Sequence, residues 1–255
     1  MSEHVVTEIA DGIFTLRFNR PEKKNALTAA MYAAAAQALN EAAQDSKVRV
    51  IVIAGSGDSF TAGNDLKDFL ENPPTSADAP VFRFMHAVVD CPKPIVAAVN
   101  GVAVGIGTTL LLHCDFVIAT PHARFQLPFV NLALVPEFAS SLLLPRAIGP
   151  KRAMEVMLLG GPFMPDFAMT SGLINALVPA EQLDVTVKGG AAALASKPPA
   201  ALRAARNLLR GDVAEIKHRI TEEAAIFAER LESPEFREAA EAFLAKRPPD
   251  FSKFD

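Results

Sequence analysis

The chain has 255 residues and half of them are hydrophobic, so it is long enough to bury a large core as one domain. Its formal charge of −4 at pH 7 leaves no overall basic footprint for nucleic acid or for an anionic membrane surface. Cys91 and Cys114 are too few for a disulfide framework, and the first residues lack the basic and apolar regions of a signal peptide, so we expect a cytoplasmic protein.

The first part of the chain is predicted to form two strands, a helix and a third strand. β-Branched residues surround Asp11-Gly12 within Val5–Phe18, which is typical of a hairpin. The alanine-rich segment Thr28–Asp45 predicts a helix with Thr28 as its N-cap, and Arg49–Ala54 has the apolar run of a buried strand.

Similar elements recur in the middle of the chain. We expect a strand at 95–99, a helix at 107–113, a strand at 115–119 and a short strand at 124–126. Because strands and helices alternate, the expected fold class is α/β with a core rich in parallel strands. The apolar stretch Pro94–Ala119 is interrupted by Asn100, His113 and Asp115, which favours a buried strand and helix over a membrane span.

The remaining segments are one loop and a helical end. The polar, proline-rich segment Glu71–Pro80 is expected to be a loop beside a substrate pocket. From Pro150 onward the pattern is mainly helical, and a helix at 221–231 has a face that could pack on the core or on a neighbouring subunit. Ser233-Pro234 supplies an N-cap and a first-position proline for the last long helix.

Two glycine-punctuated loops, Phe60–Leu66 and Asn100–Gly107, each follow an apolar β-branched run. Each loop could direct backbone N–H groups at one ligand oxygen, an arrangement that suits an oxyanion hole. Taken alone, the first loop is also compatible with an ordinary polar turn in which Asp65 caps a helix. Close packing is an equally simple explanation for the glycines of the second loop.

Four stretches in the same order resemble the crotonase family, the enoyl-CoA hydratase/isomerase group. They are the Asn-Arg-Pro and Asn-Ala-Leu pattern within Phe18–Leu27, the two glycine loops, Cys114-Asp115, and Glu241–Arg247 with Pro249–Phe251. The resemblance implies a ClpP-like crotonase spiral of ββα units over residues 1–200, followed by a helical trimerisation region over 201–255. It also implies a homotrimer or a dimer of trimers.

The resemblance further implies where an acyl-CoA thioester binds. The backbone N–H groups of Asn64 and Ile106 would form the oxyanion hole, and coenzyme A would be part of the substrate, with no separate cofactor or metal. The other positions expected to contact the substrate are Lys24, Ala26, Ala62, Gly63, Asp65, Leu66, Gly105 and Phe129. Phenylalanines that could line an acyl tunnel lie at 69, 82, 84, 129 and 138.

The candidate acid and base depart from the hydratase pattern. The two positions that carry glutamates in family hydratases match Thr109 and Phe129. Glu137 is the only carboxylate in the apolar stretch Leu132–Leu144, and Pro136–Ser141 resembles the segment that carries the single catalytic glutamate of monofunctional Δ3,Δ2-enoyl-CoA isomerases. Burial would raise the pKa of Glu137, whereas a place in the first turn of a helix after Pro136 would lower it, and a plain helix-start acid is the alternative.

The function implied by the resemblance is isomerisation of a 3-enoyl-CoA to a 2-enoyl-CoA in fatty acid β-oxidation. Alternatives are hydration or other enolate-forming chemistry within the family, and, from a different class, a noncatalytic acyl-CoA-binding subunit. The histidines and cysteines share no metal-ligand spacing, and Ser140-Ser141 lacks the context of a serine nucleophile.

Overall fold

The computed structural model describes residues 3–74, 76 and 78–254. The strands are β1 Val5–Ala10, β2 Ile13–Phe18, β3 Val50–Gly55, β4 Ile95–Val99, β5 Val102–Val104, β6 Phe116–Ala119, β7 Arg124–Gln126 and β8 Ala176–Leu177. The α-helices are α1 Ala29–Gln44, α2 Leu66–Glu71, α3 Pro80–Asp90, α4 Ile106–Thr109, α5 Ser140–Ile148, α6 Pro150–Leu159, α7 Pro165–Ser171, α8 Ala180–Ala195, α9 Pro199–Arg210, α10 Val213–Leu231 and α11 Pro234–Leu244.

One six-stranded sheet runs through the molecule in the order β1-β2-β3-β4-β6-β8. β1 and β2 are antiparallel and the other neighbours are parallel. The hairpin turns at Asp11 and Gly12, which both have positive φ, as a two-residue type I′ turn requires. A second sheet pairs β5 with β7 in parallel. The expected α/β core rich in parallel strands is therefore confirmed.

Helices cover both faces of the main sheet. Along β3, Ile51 and Ile53 belong to one buried cluster with α1 and α3, whereas Val50 and Val52 belong to another with α8. Successive side chains of a strand point to opposite faces, so a strand that is apolar throughout must be covered on both sides. The core is thus divided into two layers by the sheet.

Both predicted helix caps are confirmed. The hydroxyl of Thr28 accepts a hydrogen bond from the amide of Met31 at 3.3 Å and begins α1. The hydroxyl of Ser233 accepts from the amide of Phe236 at 3.1 Å and begins α11. In each case a side-chain oxygen satisfies an amide that has no partner inside the helix.

Three predicted boundaries need correction. The strand expected at 49–54 lies one residue later, and the strand expected at 115–119 begins at Phe116. The helix expected at 107–113 is the short α4 followed by a 3₁₀ helix, Leu110–His113. The tighter final turn is typical of a helix end, and it leads to Asp115, whose amide donates to the carbonyl of Ile95 at 2.8 Å.

The apolar stretch Pro94–Ala119 therefore folds into strands and short helices of the core. Among the described residues, no helix combines the length and the apolar character needed to cross a membrane.

The C-terminal helices join the main core. Ile216, Ile220 and Phe227 of α10 and Phe236 of α11 lie in the same buried cluster as the residues of α1 and α3. The helix expected at 221–231 is the second half of α10. Its Phe227 and Leu231 pack on the core of the same chain, whereas Ile226 is half exposed. The division at residue 200 stays a prediction. Of the loop expected at Glu71–Pro80, positions 75 and 77 lie outside the described residues.

Candidate active site

The two glycine loops lie side by side in register. Thr61 and Ala103 form a parallel β-bridge. The amide of Thr61 donates to the carbonyl of Val102, and the amide of Val104 donates to the carbonyl of Thr61, both at 3.0 Å. Gly63 has a φ of 84°, and a Cβ there would lie 2.6 Å from the carbonyl oxygen of Val104. This close approach places Asn64 and Ile106 at the same end of the paired loops.

The amides of Asn64 and Ile106 are free to bind a ligand. The amide of Asp65 donates to the carbonyl of Leu27, and the amide of Gly63 donates to the Thr61 hydroxyl at 3.1 Å. Within residues 3–74, 76 and 78–254, the amides of Asn64 and Ile106 have no acceptor. Ile106 is the first residue of α4, where an amide has no partner inside the helix. Two unpaired donors at one place have the form of an oxyanion hole.

The segment that follows Arg20 supports the first loop. The carbonyl of Lys24 accepts from the amide of Ala62 at 2.9 Å, and the amide of Leu27 donates to the carbonyl of Gly63 at 2.8 Å. The side-chain amide of the buried Asn25 donates to the carbonyls of Ser56 and Ser59. The expected substrate-contact positions 24, 26 and 62–66 are thereby brought together, with Lys24 exposed to solvent.

The side chain of Asp65 has a structural task. One carboxylate oxygen accepts from the amides of Lys67 and Asp68 and caps α2, whose first residue is Leu66. The other accepts from Arg20 at 2.6 Å. Partial burial would raise the pKa of Asp65, but the hydrogen bonds from Arg20 and from the helix amides lower it. The capping interpretation is therefore confirmed for this side chain.

Glu137 is a buried carboxylate with one unoccupied oxygen. Glu137 is 6 % exposed, and its Oε1 accepts a hydrogen bond of 2.6 Å from the hydroxyl of Thr109. Its Oε2 has no hydrogen-bond partner among the described residues. Burial raises the pKa of Glu137 to about 8, against the lowering effect of Thr109 and with a further increase from nearby Glu223.

The apolar cavity beside Glu137 also reaches Asn64. It has a volume of about 20 Å³, and it shares Phe69, Pro74 and Val81 with a second cavity of about 310 Å³. The other residues that line the first cavity are Phe82, Met85, Phe138, Ile220, Ala224 and Phe227. Of the five phenylalanines expected to line an acyl tunnel, those at 69, 82 and 138 line this cavity, whereas Phe84 and Phe129 are not among its described lining residues. The tunnel itself stays a prediction.

The alternative in which Glu137 is a plain helix-start acid is wrong. α5 begins at Ser140, and both Phe138 and Ala139 have left-handed backbone, with φ of 61° and 55°. Glu137 therefore lies outside the first helical turn, and burial decides its pKa. His113 steadies the strained Phe138, since its Nε2 donates to the Phe138 carbonyl at 2.8 Å and the two rings stack at 3.9 Å.

Comparison with known proteins identifies this arrangement. A family model described as enoyl-CoA hydratase/isomerase matches residues 8–253. The chain belongs to this family, the crotonase family. It is 35% identical over 253 residues to enoyl-CoA delta isomerase 2 of Homo sapiens, an alignment that covers 96% of this chain and 64% of the human protein. It is also 35% identical to a probable enoyl-CoA hydratase of Rhodobacter capsulatus over 99% of both chains.

The fold is shared with a crystal structure of an enoyl-CoA hydratase/isomerase from Pseudoalteromonas atlantica T6c. The TM-score is 0.93 at 40% identity, over 98% of this chain and 100% of the other. Family members named as isomerases and as hydratases are thus similarly close in sequence, and the choice between the two activities depends on the residues of the site.

The two positions that the family resemblance matched to hydratase glutamates have different surroundings. Thr109, in α4, contacts Glu137 directly. Phe129 is buried but does not line the cavity beside Glu137 in the part of the chain that the structure describes. Neither side chain can give or accept a proton in place of a carboxylate.

Sequence reasoning missed two residues of the site. Tyr32, the single tyrosine of the chain, donates from its hydroxyl to Asn64 Oδ1 at 2.5 Å, and burial raises its pKa. Glu223 accepts from the amide of Ala139 at 2.6 Å and from that of Ser141 at 2.9 Å. A signal for Glu223 was present, because it lies three residues after Ile220 and four before Phe227 on the buried face of α10.

Proposed function

We propose that this protein is an enoyl-CoA isomerase that shifts the double bond of a 3-enoyl-CoA to the 2-position. One observation carries the proposal. Glu137 lies on the same cavity as Asn64, and one of its carboxylate oxygens has no partner among the described residues. The family resemblance supports the proposal, because it matches Thr109 and Phe129 to the two hydratase glutamates. A single carboxylate suffices for isomerisation, because it acts first as the base and then as the acid.

The proposed reaction begins with the thioester oxygen between the amides of Asn64 and Ile106. Glu137 takes a proton from C2, and the electron pair of that C–H bond moves toward the carbonyl, so that a dienolate forms across C1 to C4. The two amides stabilise the negative charge on the oxygen. The protonated Glu137 then returns the proton to C4, which leaves a C2–C3 double bond and restores the carboxylate.

The electrostatics of the site support each step of this proposed reaction. A carboxylic acid whose pKa is raised to about 8 is a stronger base, once ionised, than an ordinary glutamate. Loss of one oxyanion donor typically costs about 2.7–4 kcal/mol of transition-state stabilisation, so two preorganised amides supply a large part of the rate. We further propose that coenzyme A enters only as part of the substrate, with no separate cofactor or metal.

The test is a comparison of wild type with Glu137→Gln on trans-3-hexenoyl-CoA, measured as formation of the conjugated 2-enoyl-CoA. We expect the substitution to lower kcat by at least about a thousandfold, because the amide cannot accept the C2 proton. In wild type, kcat/KM should rise with pH through a midpoint near 8, because Glu137 acts in its ionised form. Glu222→Gln is the matched control, since its carboxylate lies outside the cavity lining and pairs with His218 and Arg219.

Other outcomes would favour the alternatives. Isomerisation that survives Glu137→Gln would disprove the single-glutamate mechanism. Hydration of 2-hexenoyl-CoA, assayed separately, would support the activity named for the Rhodobacter capsulatus relative and require a different base. Binding of acyl-CoA by wild type without any turnover would indicate a noncatalytic subunit.

We also propose that the protein forms a homotrimer or a dimer of trimers. Large apolar side chains are exposed at the ends of α6 and α11, and both helices contact the 3₁₀ turn Val130–Leu132, whose Val130 is exposed as well. The exposed members of this patch are Val130, Met154, Leu158, Leu159, Phe243 and Leu244. Several large exposed apolar side chains on elements that contact one another are typical of an interaction site. Sedimentation equilibrium should give three or six times the 27.2 kDa chain mass, and a monomer mass would contradict this part of the proposal.

A further inference from the structure

A second buried carboxylate lies behind Glu137. Glu223 is 5 % exposed and comes from α10, more than eighty residues further along the chain. Its Oε2 accepts from the amide of Ala139 and its Oε1 accepts from the amide of Ser141. Burial raises the pKa of Glu223, whereas the hydrogen bonds from Ser141 and Ala139 and the charge of Arg219 act to lower it. Both carboxylate oxygens receive N–H donors, and such donors favour the ionised form.

These two hydrogen bonds replace a missing helix cap. The N-cap position of α5 is Ala139, which has no side chain that can accept a hydrogen bond. The first amides of a helix need acceptors and attract negative charge. Glu223, which lies on α10, supplies the acceptors and the negative charge for these amides. The start of α5 is therefore fixed by a contact between two different helices.

The segment held in this way carries Glu137. Phe138 and Ala139 are consecutive non-glycine residues with left-handed backbone, a conformation that persists only where the surroundings enforce it. His113 binds the carbonyl of Phe138 on one side and Glu223 binds the amide of Ala139 on the other. The peptide between Phe138 and Ala139, one residue beyond Glu137, is thus held at its carbonyl oxygen and at its nitrogen.

We infer that Glu223 is a positioning residue of the isomerisation: its carboxylate holds the Phe138–Ala139 peptide in the conformation that aims Glu137 into the cavity, and keeps a negative charge behind it. This inference rests on the proposed function of Glu137. Glu223 itself has no place on the cavity lining given by the described residues, so it acts through Glu137.

The charge of Glu223 has a measurable consequence. It adds to the effect of burial in raising the pKa of Glu137. The groups that face the pair are Thr109 and His113 from the α4 region, Tyr32 from α1 and Arg219 from α10. Of these, His113 is neutral at working pH because burial lowers its pKa to about 4, and burial likewise keeps Tyr32 in its neutral form. Glu223 is thus the anion whose removal should make Glu137 easier to ionise.

The experiment measures Glu223→Gln and Glu222→Gln beside wild type. Infrared difference titration follows the carboxyl band of Glu137, assigned by its loss in Glu137→Gln, and requires no substrate. The same proteins are then assayed for kcat and KM on trans-3-hexenoyl-CoA over the same pH range. Circular dichroism and thermal midpoints establish that each variant is folded.

We expect Glu223→Gln to lower the titration midpoint of Glu137 by about one pH unit, because a neutral amide replaces a nearby anion. We also expect kcat to fall by at least about tenfold with little change in KM, because a Gln side chain can accept from only one of the two amides. Glu222→Gln, with the same loss of charge on the adjacent position, should match wild type in both measurements.

A midpoint that stays at the wild-type value would overturn the inference, even with a lower kcat, because Glu223 would then be only a structural cap. If Glu223→Gln does not fold, Glu223→Asp replaces it: the charge remains, so the midpoint should hold while kcat falls, and an unchanged kcat would overturn the inference. A wild type that titrates as expected but isomerises nothing would refute the proposed function alone.

Discussion

The two halves of the candidate site are held in place by different means. The oxyanion loops, Phe60–Leu66 and Asn100–Gly107, are fixed by backbone hydrogen bonds between neighbouring strands and by glycines at points of close approach. The Pro136–Ser141 segment is fixed by side chains that arrive from elsewhere, namely those of Thr109, His113 and Glu223.

This difference separates two parts of the chemistry. The loops set where the thioester oxygen lies, and their amides do not titrate. The surroundings of Glu137 set both its direction and the pH at which it becomes a base. Changes in the loops should therefore alter the rate without moving the pH dependence, whereas changes around Glu137 should move the pH dependence.

Among changes that leave Glu137 itself in place, Gly63→Ala is expected to lower the rate most. The added Cβ would lie 2.6 Å from the carbonyl oxygen of Val104, and the φ of 84° is unfavourable for alanine. The peptide between residues 63 and 64 must then rotate or shift, which moves the Asn64 amide away from the oxyanion position. We expect a fall in kcat of at least about a hundredfold and a loss of about 2–4 kcal/mol in the free energy of unfolding.

The control for this change is Gly189→Ala. Gly189 lies inside α8 and a Cβ there would meet nothing within 4 Å, so alanine should be neutral or stabilising by up to about 1 kcal/mol. Urea denaturation and the pH profile of kcat/KM are measured for both variants. A Gly63→Ala enzyme that keeps its kcat would mean that the Asn64 amide is not an oxyanion donor. A shift of its pH midpoint would mean that the loops and Glu137 do not act independently.

Much of the fold was predictable because its signals are local. Asp11-Gly12 specifies a tight turn, and the capping residues Thr28 and Ser233 act on amides only two or three positions away. The boundary errors occurred where tertiary contacts decide the geometry. The 3₁₀ turn Leu110–His113 is one case, since the chain must reach the point where the amide of Asp115 meets Ile95.

The site divides in the same way. The glycine pattern predicted two loops that act together, and these loops do pair through Thr61 and Ala103. The choice of Asn64 and Ile106 as the donors came from the family resemblance. The isolation of Glu137 among apolar residues identified it as a candidate, but nothing local showed that the helix would start only at Ser140. That start depends on Glu223, and Glu222 and Glu223 differ only in the face of α10 on which they lie.

A smaller effect is expected where the hydroxyl of Thr109 donates to Glu137. In Thr109→Val the shape of the side chain is kept, but the hydroxyl that donates to Glu137 Oε1 is lost. That hydrogen bond lowers the pKa of Glu137, so its removal should raise the midpoint of kcat/KM by about one pH unit. Above the new midpoint kcat should stay within about tenfold of wild type, because the oxyanion amides are untouched.

Thr221→Val is the matched control, since Thr221 is exposed on α10 and its hydroxyl donates to the carbonyl of Lys217. The direction of the shift is the decisive reading. Thr109→Val removes a donor and should move the midpoint up, whereas Glu223→Gln removes an anion and should move it down. Two variants that act on one carboxylate from opposite sides and shift its titration in opposite directions would locate the base at Glu137, and shifts of the same sign would place the titrating group elsewhere.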